Sequence, residues 1–479
     1  FDSHRIMLEA VLAPVCERGD AATDRMKETR NRQQKRIYVQ GGLSTLKKKS
    51  TLLMTVICAA SLALSACGGN EQKPAASGSA GSEQEEQITL NFAGITTFGE
   101  DSWGPLVKQF EDENPNIKIK VTQLPSVSKS TENHQYLVAA LTSKGDIDVF
   151  TGDVIWVPEF AAAGWTEPLD SYMDDKDEYY PGVINAVTYQ GKIMAVPWFV
   201  DGGLLYYRKD LLEKYNLPVP TTWKELQDQA KLILEKENNP ELKGFMWQAK
   251  QTEVLVCDFI EFLDSANGAV IDSNEKTVID SQETRTALNQ MKAFIDSGIS
   301  PKTIMAADEE PTRTVFTDGN AIFLRNWTYV WNQAQDEQVS KVVGKVGTAP
   351  LPAFEGGKSA STMGGYQFMV AQHSKHKEAA VKFAKFLSSK ESQLFYAEHA
   401  GLSPTRPAVL DNENLKKSQP FLVDINKVFE GTAARPVSPK YPQISLQLQS
   451  NISAFLAGKI TVDQAIQEMN KKISNILGT

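Results

Sequence analysis

The residues of this chain best suited to chemistry are rings and carboxylates set beside turn-forming residues. They are Asp153 and Trp156, Trp198-Phe199-Val200-Asp201, Asn326-Trp327-Thr328-Tyr329, Gly364-Gly365-Tyr366, and Arg435-Pro436 with Tyr441-Pro442. Flat rings cover apolar C–H faces, while carboxylates and guanidinium groups make charge-assisted hydrogen bonds to hydroxyls. Gathered from loop-like contexts, such a set suits a polyhydroxylated ligand. Covalent chemistry has far less to work with. The sequence holds no G-x-x-x-x-G-K-[ST] phosphate loop, no G-x-G-x-x-G, no G-x-S-x-G elbow and no H-E-x-x-H. Ser126-Val127-Ser128-Lys129 fits S-x-x-K, but the companion S-D-N and K-T-G motifs are missing. His373 and His376 have a metal-like spacing without a further histidine or cysteine nearby, and read as the solvated start of a helix. Asp174-Asp175-Lys176-Asp177-Glu178 lacks the glycine of a calcium loop and reads as a solvated turn. No metal and no cofactor is expected.

The elements that must position these residues alternate between two periods. Ile88, Leu90 and Phe92 alternate as a strand, and Trp103, Leu106, Val107 and Phe110 then mark one face of a helix. Ile117, Ile119 and Val121 alternate again, Leu137, Val138 and Leu141 follow on a helix, and Asp146 to Phe150 reads as a short strand. Strand–helix–strand–helix–strand predicts a mostly parallel sheet covered by helices. The theme returns with a strand over Leu204–Arg208 and a capping box at Thr222-Trp223-Lys224-Glu225. That box opens a helix with Trp223, Leu226, Ala230 and Ile233 inward. Further helices carry Leu288, Met291 and Ile295; Ala380, Phe383, Ala384 and Leu387; and Ala465, Ile466, Met469 and Ile473. Some 390 residues of this kind exceed one sheet core, so the fold class is α/β with two lobes.

Before residue 88 the pattern changes. Lys47-Lys48-Lys49, an apolar run from Leu52 to Leu64, and Leu64-Ser65-Ala66-Cys67 followed by Gly68-Gly69 have the order of a secretory signal. The run is shorter than the ~20 residues of a spanning helix. Leu-Ser-Ala-Cys resembles the bacterial lipobox, which implies lipidation of Cys67 and removal of residues 46–66. A signal should begin the chain, so residues 1–45 are expected to precede the native start, with Leu46 as a start codon read as leucine. Residues 67–87 then form the lipidated cysteine and a flexible polar tether. Residues 67–479 carry 39 basic and 53 acidic side chains, net −14, against −9 for the whole chain. That balance argues against nucleic acid and anionic membrane as partners. Of the four cysteines only Cys257 stays free in the mature chain, which excludes an intrachain disulfide; it reads as a buried thiol.

Across residues 88–479 the sequence resembles the extracellular solute-binding proteins of carbohydrate ABC importers, in particular the trehalose/maltose-binding branch. The stretches that carry the likeness are Asp153-Val-Ile-Trp156, Ala163 to Asp170, Pro197 to Asp210, Leu255 to Phe259, Arg325 to Tyr329, Gly347 to Pro352 and Arg435 to Gln443. The resemblance implies a periplasmic-binding-protein-like fold with a hinge and a central cleft. One lobe would hold 88–198 and 350–389, the other 201–347 and 391–479, with chain crossings near Trp198–Asp201, near Thr348–Pro352 and after Leu387. It also implies site roles. Asp153 and Asp201 would accept from sugar hydroxyls, Trp327 and Tyr329 would form an aromatic floor, and Gly365 and Tyr366 would close one side. Arg435 and Tyr441 would reach in from the second lobe, with Glu100 or Asp101 adding a carboxylate.

Three positions depart from that branch. Phe199 replaces a tyrosine, Tyr366 a tryptophan, and Asn133-His134 an arginine pair. The implied function is capture of an α-linked disaccharide or related glycoside by a monomeric, lipid-anchored protein on the outer face of a Gram-positive cell membrane. The sugar would pass to ABC permease subunits, and the chain would be no enzyme. The alternatives are a binder of the same fold for an oligosaccharide, polyol or amino-sugar, and a secreted enzyme using Asp153 and Asp201 as acid and base.

Overall fold

Local chemistry sets several elements before packing does. The Thr222 hydroxyl accepts from the Glu225 N–H at 3.1 Å while the Glu225 carboxylate accepts from the Thr222 N–H at 3.1 Å, so the expected capping box is formed. It opens the helix Trp223–Glu237, whose Trp223, Leu226, Ala230 and Ile233 are buried. The computed structural model describes residues 87–97, 101–419, 421–422, 432–433 and 435–479. Residues 1–45, the signal at 46–66, Cys67, the tether up to residue 86, and Glu100 lie outside the described residues. Among those described, no helix is long and apolar enough to cross a membrane.

The strands are β1 (Ile88–Thr96), β2 (Ile117–Ser126), β3 (Val149–Asp153), β4 (Thr188–Tyr189), β5 (Lys192–Ile193), β6 (Val196–Gly202), β7 (Leu204–Arg208), β8 (Lys243–Met246), β9 (Ala321–Asn326), β10 (Val346–Ala349), β11 (Ser361–Val370), β12 (Ser403–Pro404) and β13 (Thr432–Ala433). One sheet runs β12-β6-β11-β3-β1-β2, with β13 beside β11; a second runs β10-β7-β9-β8; β4 and β5 form a ribbon. The parallel expectation holds for β1 with β2 and β3. It fails beyond β3, where β11 inserts antiparallel between β3 and β6, and β12 pairs antiparallel with β6. The third strand also begins later than expected, at Val149. Asp148 is taken up by side-chain bonds, accepting from the Asn91 N–H at 2.9 Å and from the Ser374 hydroxyl.

Two hydrophobic cores result. Phe92, Trp103, Trp198 and Phe368 knit the first, with Trp103 4.8 Å from Phe92 and 5.1 Å from Trp198 between ring centres. In the second, Trp223 stacks on Phe262 at 4.1 Å and Phe245 meets Phe294 at 5.1 Å. Neither core is contiguous in sequence. The chain leaves the first sheet at Gly203, where a Cβ would stand 2.1 Å from a Glu261 oxygen, so only glycine fits. It returns on β11, after Leu351 and Phe354 have packed with the second core. After Leu387 the helix Lys390–Ala400 serves both cores, with Ala397 packed in the second. Tyr396, Ala400 and Leu402 belong to the first core and Ser403-Pro404 pair with β6, whereas Val409 and Leu410 pack with the second.

The acidic run at 174–178 is less solvated than its composition implies. Arg406 binds Asp175 and Glu178, and its guanidinium lies 3.9 Å from the centre of the Tyr179 ring. His376 does precede a helix, Lys377–Leu387.

Candidate functional site

The register of the first sheet aligns three of the singled-out residues. Tyr366 pairs with Asp153 on one side and Phe199 on the other, and Gly364 pairs with Asp201. These positions are strand, not loop. Trp198 to Asp201 and Gly364-Gly365 read as loop-like contexts, but β6 and β11 are inner strands of the first sheet. At Gly365, φ is +123° and a Cβ would lie 2.3 Å from the Phe199 carbonyl oxygen. The Tyr366 ring stacks on Phe199 at 5.9 Å and 17° and meets Trp156 edge-on.

Beyond this sheet edge lies a cavity of about 400 Å³ bounded by both cores. The first core contributes Asp153, Phe199 and Tyr366 together with hydroxyl side chains such as Thr96, Ser128 and Ser130. Opposite stand Glu253, Cys257, Glu309, Trp327 and Tyr329, with Asp201, Gly365 and Arg435 completing the wall. Val254, Cys257 and Trp327 form a small apolar cluster of their own.

Trp327 is held from beneath. The Arg325 guanidinium lies 4.1 Å from the ring centre, and Tyr206 donates to the Trp327 carbonyl at 2.7 Å. Arg325 is itself fastened: its Nε donates to Glu261 at 2.7 Å, a second donor engages the same carboxylate, and a third reaches Gln248 at 3.2 Å. Asp258 adds a carboxylate 3.6 Å away. Although burial opposes its charge, Glu261 and Asp258 raise the Arg325 pKa and hold it cationic.

Arg435 does a different job. One terminal nitrogen donates to Asp153 at 2.8 Å and the other to Glu253 at 3.1 Å, so a single guanidinium joins the first sheet to the helix Glu253–Ser265 of the second core. Its Nε is buried without a partner. Glu253 also accepts from the hydroxyls of Tyr441 and Ser445, and burial pushes its carboxyl upward. Asp201 accepts from the N–H groups of Gly202 (2.8 Å) and Thr328 (3.1 Å); burial outweighs these and pushes it up to about 6. Tyr329 donates to Glu310 at 2.7 Å, and Lys250 pairs with Asp308 at 2.5 Å.

Asp153, Phe199, Asp201, Trp327, Tyr329, Gly365, Tyr366 and Arg435 therefore meet at one cavity, and two expected residues do not. Tyr441 stands behind it, with its hydroxyl spent on Glu253. Asp101 is exposed and accepts from the Gly104 N–H at 2.7 Å, capping the helix Gly104–Glu113. Asn133 and His134 face away as well: Asn133 donates to backbone carbonyls of Pro125 and Ser126, and His134 pairs with Glu159. Glu253 and Glu309 were not anticipated. Each opens a helix, where an acid is ordinarily explained by the helix dipole. Cys257 is buried, and desolvation pushes its thiol well above the usual range. Among the described residues no cluster suits a metal.

Residues 99–394 match the family model described as bacterial extracellular solute-binding protein. A probable ABC transporter-binding protein of Deinococcus radiodurans is 31% identical over 417 residues, covering 83% of this chain and 96% of that one. The maltose-bound structure of T. maritima MalE3 superposes with a TM-score of 0.76 at 38% identity, over 81% of this chain and 99% of that one. A Thermotoga lettingae TMO solute-binding protein bound with α-D-tagatose gives a TM-score of 0.73 at 27% identity, over 81% and 100%.

Proposed function

Since the chain belongs to the bacterial extracellular solute-binding proteins of ABC transporters, a family that carries sugars and does no chemistry on them, we propose that its ligand is an α-linked disaccharide of the maltose and trehalose type, or a related small glycoside. The observation that carries this reading is the arrangement around Trp327. An indole braced by a buried guanidinium offers one flat face to a sugar ring, while Asp153, Asp201 and Arg435 stand around it to meet hydroxyls. The maltose bound to MalE3 supports the same ligand class. Tyr329, Tyr366 and Phe199 complete the apolar wall, and Glu253, held by Tyr441, is a further acid there in place of Asp101.

Capture is a population shift: sugar touching both cores stabilises the closed arrangement over the open one. The loaded protein then meets membrane permease subunits, tethered near them by lipid on Cys67. A ketose or polyol is the second reading, favoured by the tagatose-bound relative.

Isothermal calorimetry with maltose, trehalose, sucrose and tagatose tests the assignment. Binding of an α-linked disaccharide at least tenfold tighter than tagatose supports it, and the reverse order overturns it. Trp327→Ala should weaken the disaccharide more than about 100-fold, with circular dichroism unchanged. Retained affinity in that variant would remove the indole from the site.

A further inference from the structure

We propose that Glu309 is a specificity-determining contact of the cavity, its free carboxyl oxygen accepting the proton of a ligand hydroxyl beside the Trp327 ring. Glu309 is the first residue of the helix Glu309–Thr317, is 6% exposed and lines the cavity. Its Oε2 is buried with no hydrogen-bond partner. Its backbone is fixed, since its carbonyl accepts from Asn326 at 3.1 Å and from the Thr312 hydroxyl at 2.9 Å.

The cations around the cavity are already engaged. Lys250 is held by Asp308, Arg313 by Glu310, Arg325 by Glu261, Arg435 by Asp153 and Glu253, and Lys129 lies 4.0 Å from Glu132. Glu310, the next residue, is occupied by Tyr329 and Arg313. Among the described residues Glu309 is thus an acid with no ion pair of its own, Arg325 being held by Glu261. Buried polar groups are nearly always satisfied, so a lasting orphan on a residue that lines a cavity marks a place for a donor from outside the protein. A site of that kind rejects analogues lacking the donor more strongly than an apolar site rejects a missing methylene.

Burial, with Asp308 adjacent, pushes Glu309 up to about 7, while its own backbone N–H, Arg325 and Trp327 pull the other way. Asp258, Tyr329 and Tyr366 also face it electrostatically. A donated hydroxyl favours the ionised form, so affinity rises from pH 6 to pH 8.

The inference rests on the sugar reading, and the experiment separates the two. Maltose, trehalose and tagatose are titrated into the full folded chain and its Glu309→Gln variant at pH 6 and pH 8. The expected result is affinity for the sugar that binds wild type falling by about tenfold at pH 8, with a flattened pH dependence. The melting temperature should hold or rise, because an uncompensated buried acid has been removed. Wild-type binding with equal affinity in the variant overturns this inference and leaves the sugar reading standing. A lower melting temperature with unchanged pH dependence assigns Glu309 a structural role and also overturns it. Failure of all three sugars to bind wild type overturns both.

Discussion

Arg325 and Arg435 are two buried guanidinium groups, each gripping carboxylates, yet they act at different levels. Arg325 is held on the side of the second core, by Glu261 and Asp258 on one helix and Gln248 after β8, beneath the ring of Trp327. Arg435 takes one acid from each core and keeps its Nε unpartnered at the cavity. Burial alone does not mark a ligand contact. What separates the two is whether the partners belong to one body or two. The first arginine positions a ring; the second ties the first sheet to the helix Glu253–Ser265.

The contrast can be broken by measurement. Arg325→Met removes the shared partner of two buried acids, Glu261 and Asp258, and should cost about 3–5 kcal/mol in urea unfolding. A change below about 1 kcal/mol would mean that these acids are not held apart from water. Asp201 is the instructive third case, a buried acid served by backbone amides. It titrates near 3.9 when unfolded and about 6 when folded, so folding favours its protonated form. Its contribution is therefore most favourable below pH 4, and about 3 kcal/mol is lost as pH rises through 6. Asp201→Asn should remove that share, flattening stability between pH 4.5 and 7.5; an unchanged slope would mean the carboxyl is solvated. The smallest effect is expected for Arg435→Lys, which keeps the charge but loses the fork. Sugar affinity should fall about tenfold with little movement of the melting temperature. A large melting shift without loss of affinity would make Arg435 a second Arg325.

Much of the fold was legible because it is written locally. The strand Leu204–Arg208 and the box at Thr222 need only neighbouring residues, and both were read with correct limits. The insertion of β11 between β3 and β6 was not legible, because a central antiparallel strand arriving some 200 residues late leaves no local signal. The glycines that let it approach Phe199 resemble a turn. At the site, ring and acid types pointed toward the cavity. The order of depth did not show: Tyr441 lies one layer behind Glu253, and an acid in the first turn of a helix looks the same whether it is exposed, like Glu310, or buried, like Glu309.

The interrupted first core has a consequence for biosynthesis. With β11 at its centre, β12 at its edge and β13 beside β11, that sheet is not complete until residue 433 has been made. For most of its synthesis the nascent chain therefore lacks a finished lobe. A polypeptide that must thread a translocation channel unfolded gains time from that delay, and a nonsense truncation anywhere before that point leaves no independent half to accumulate.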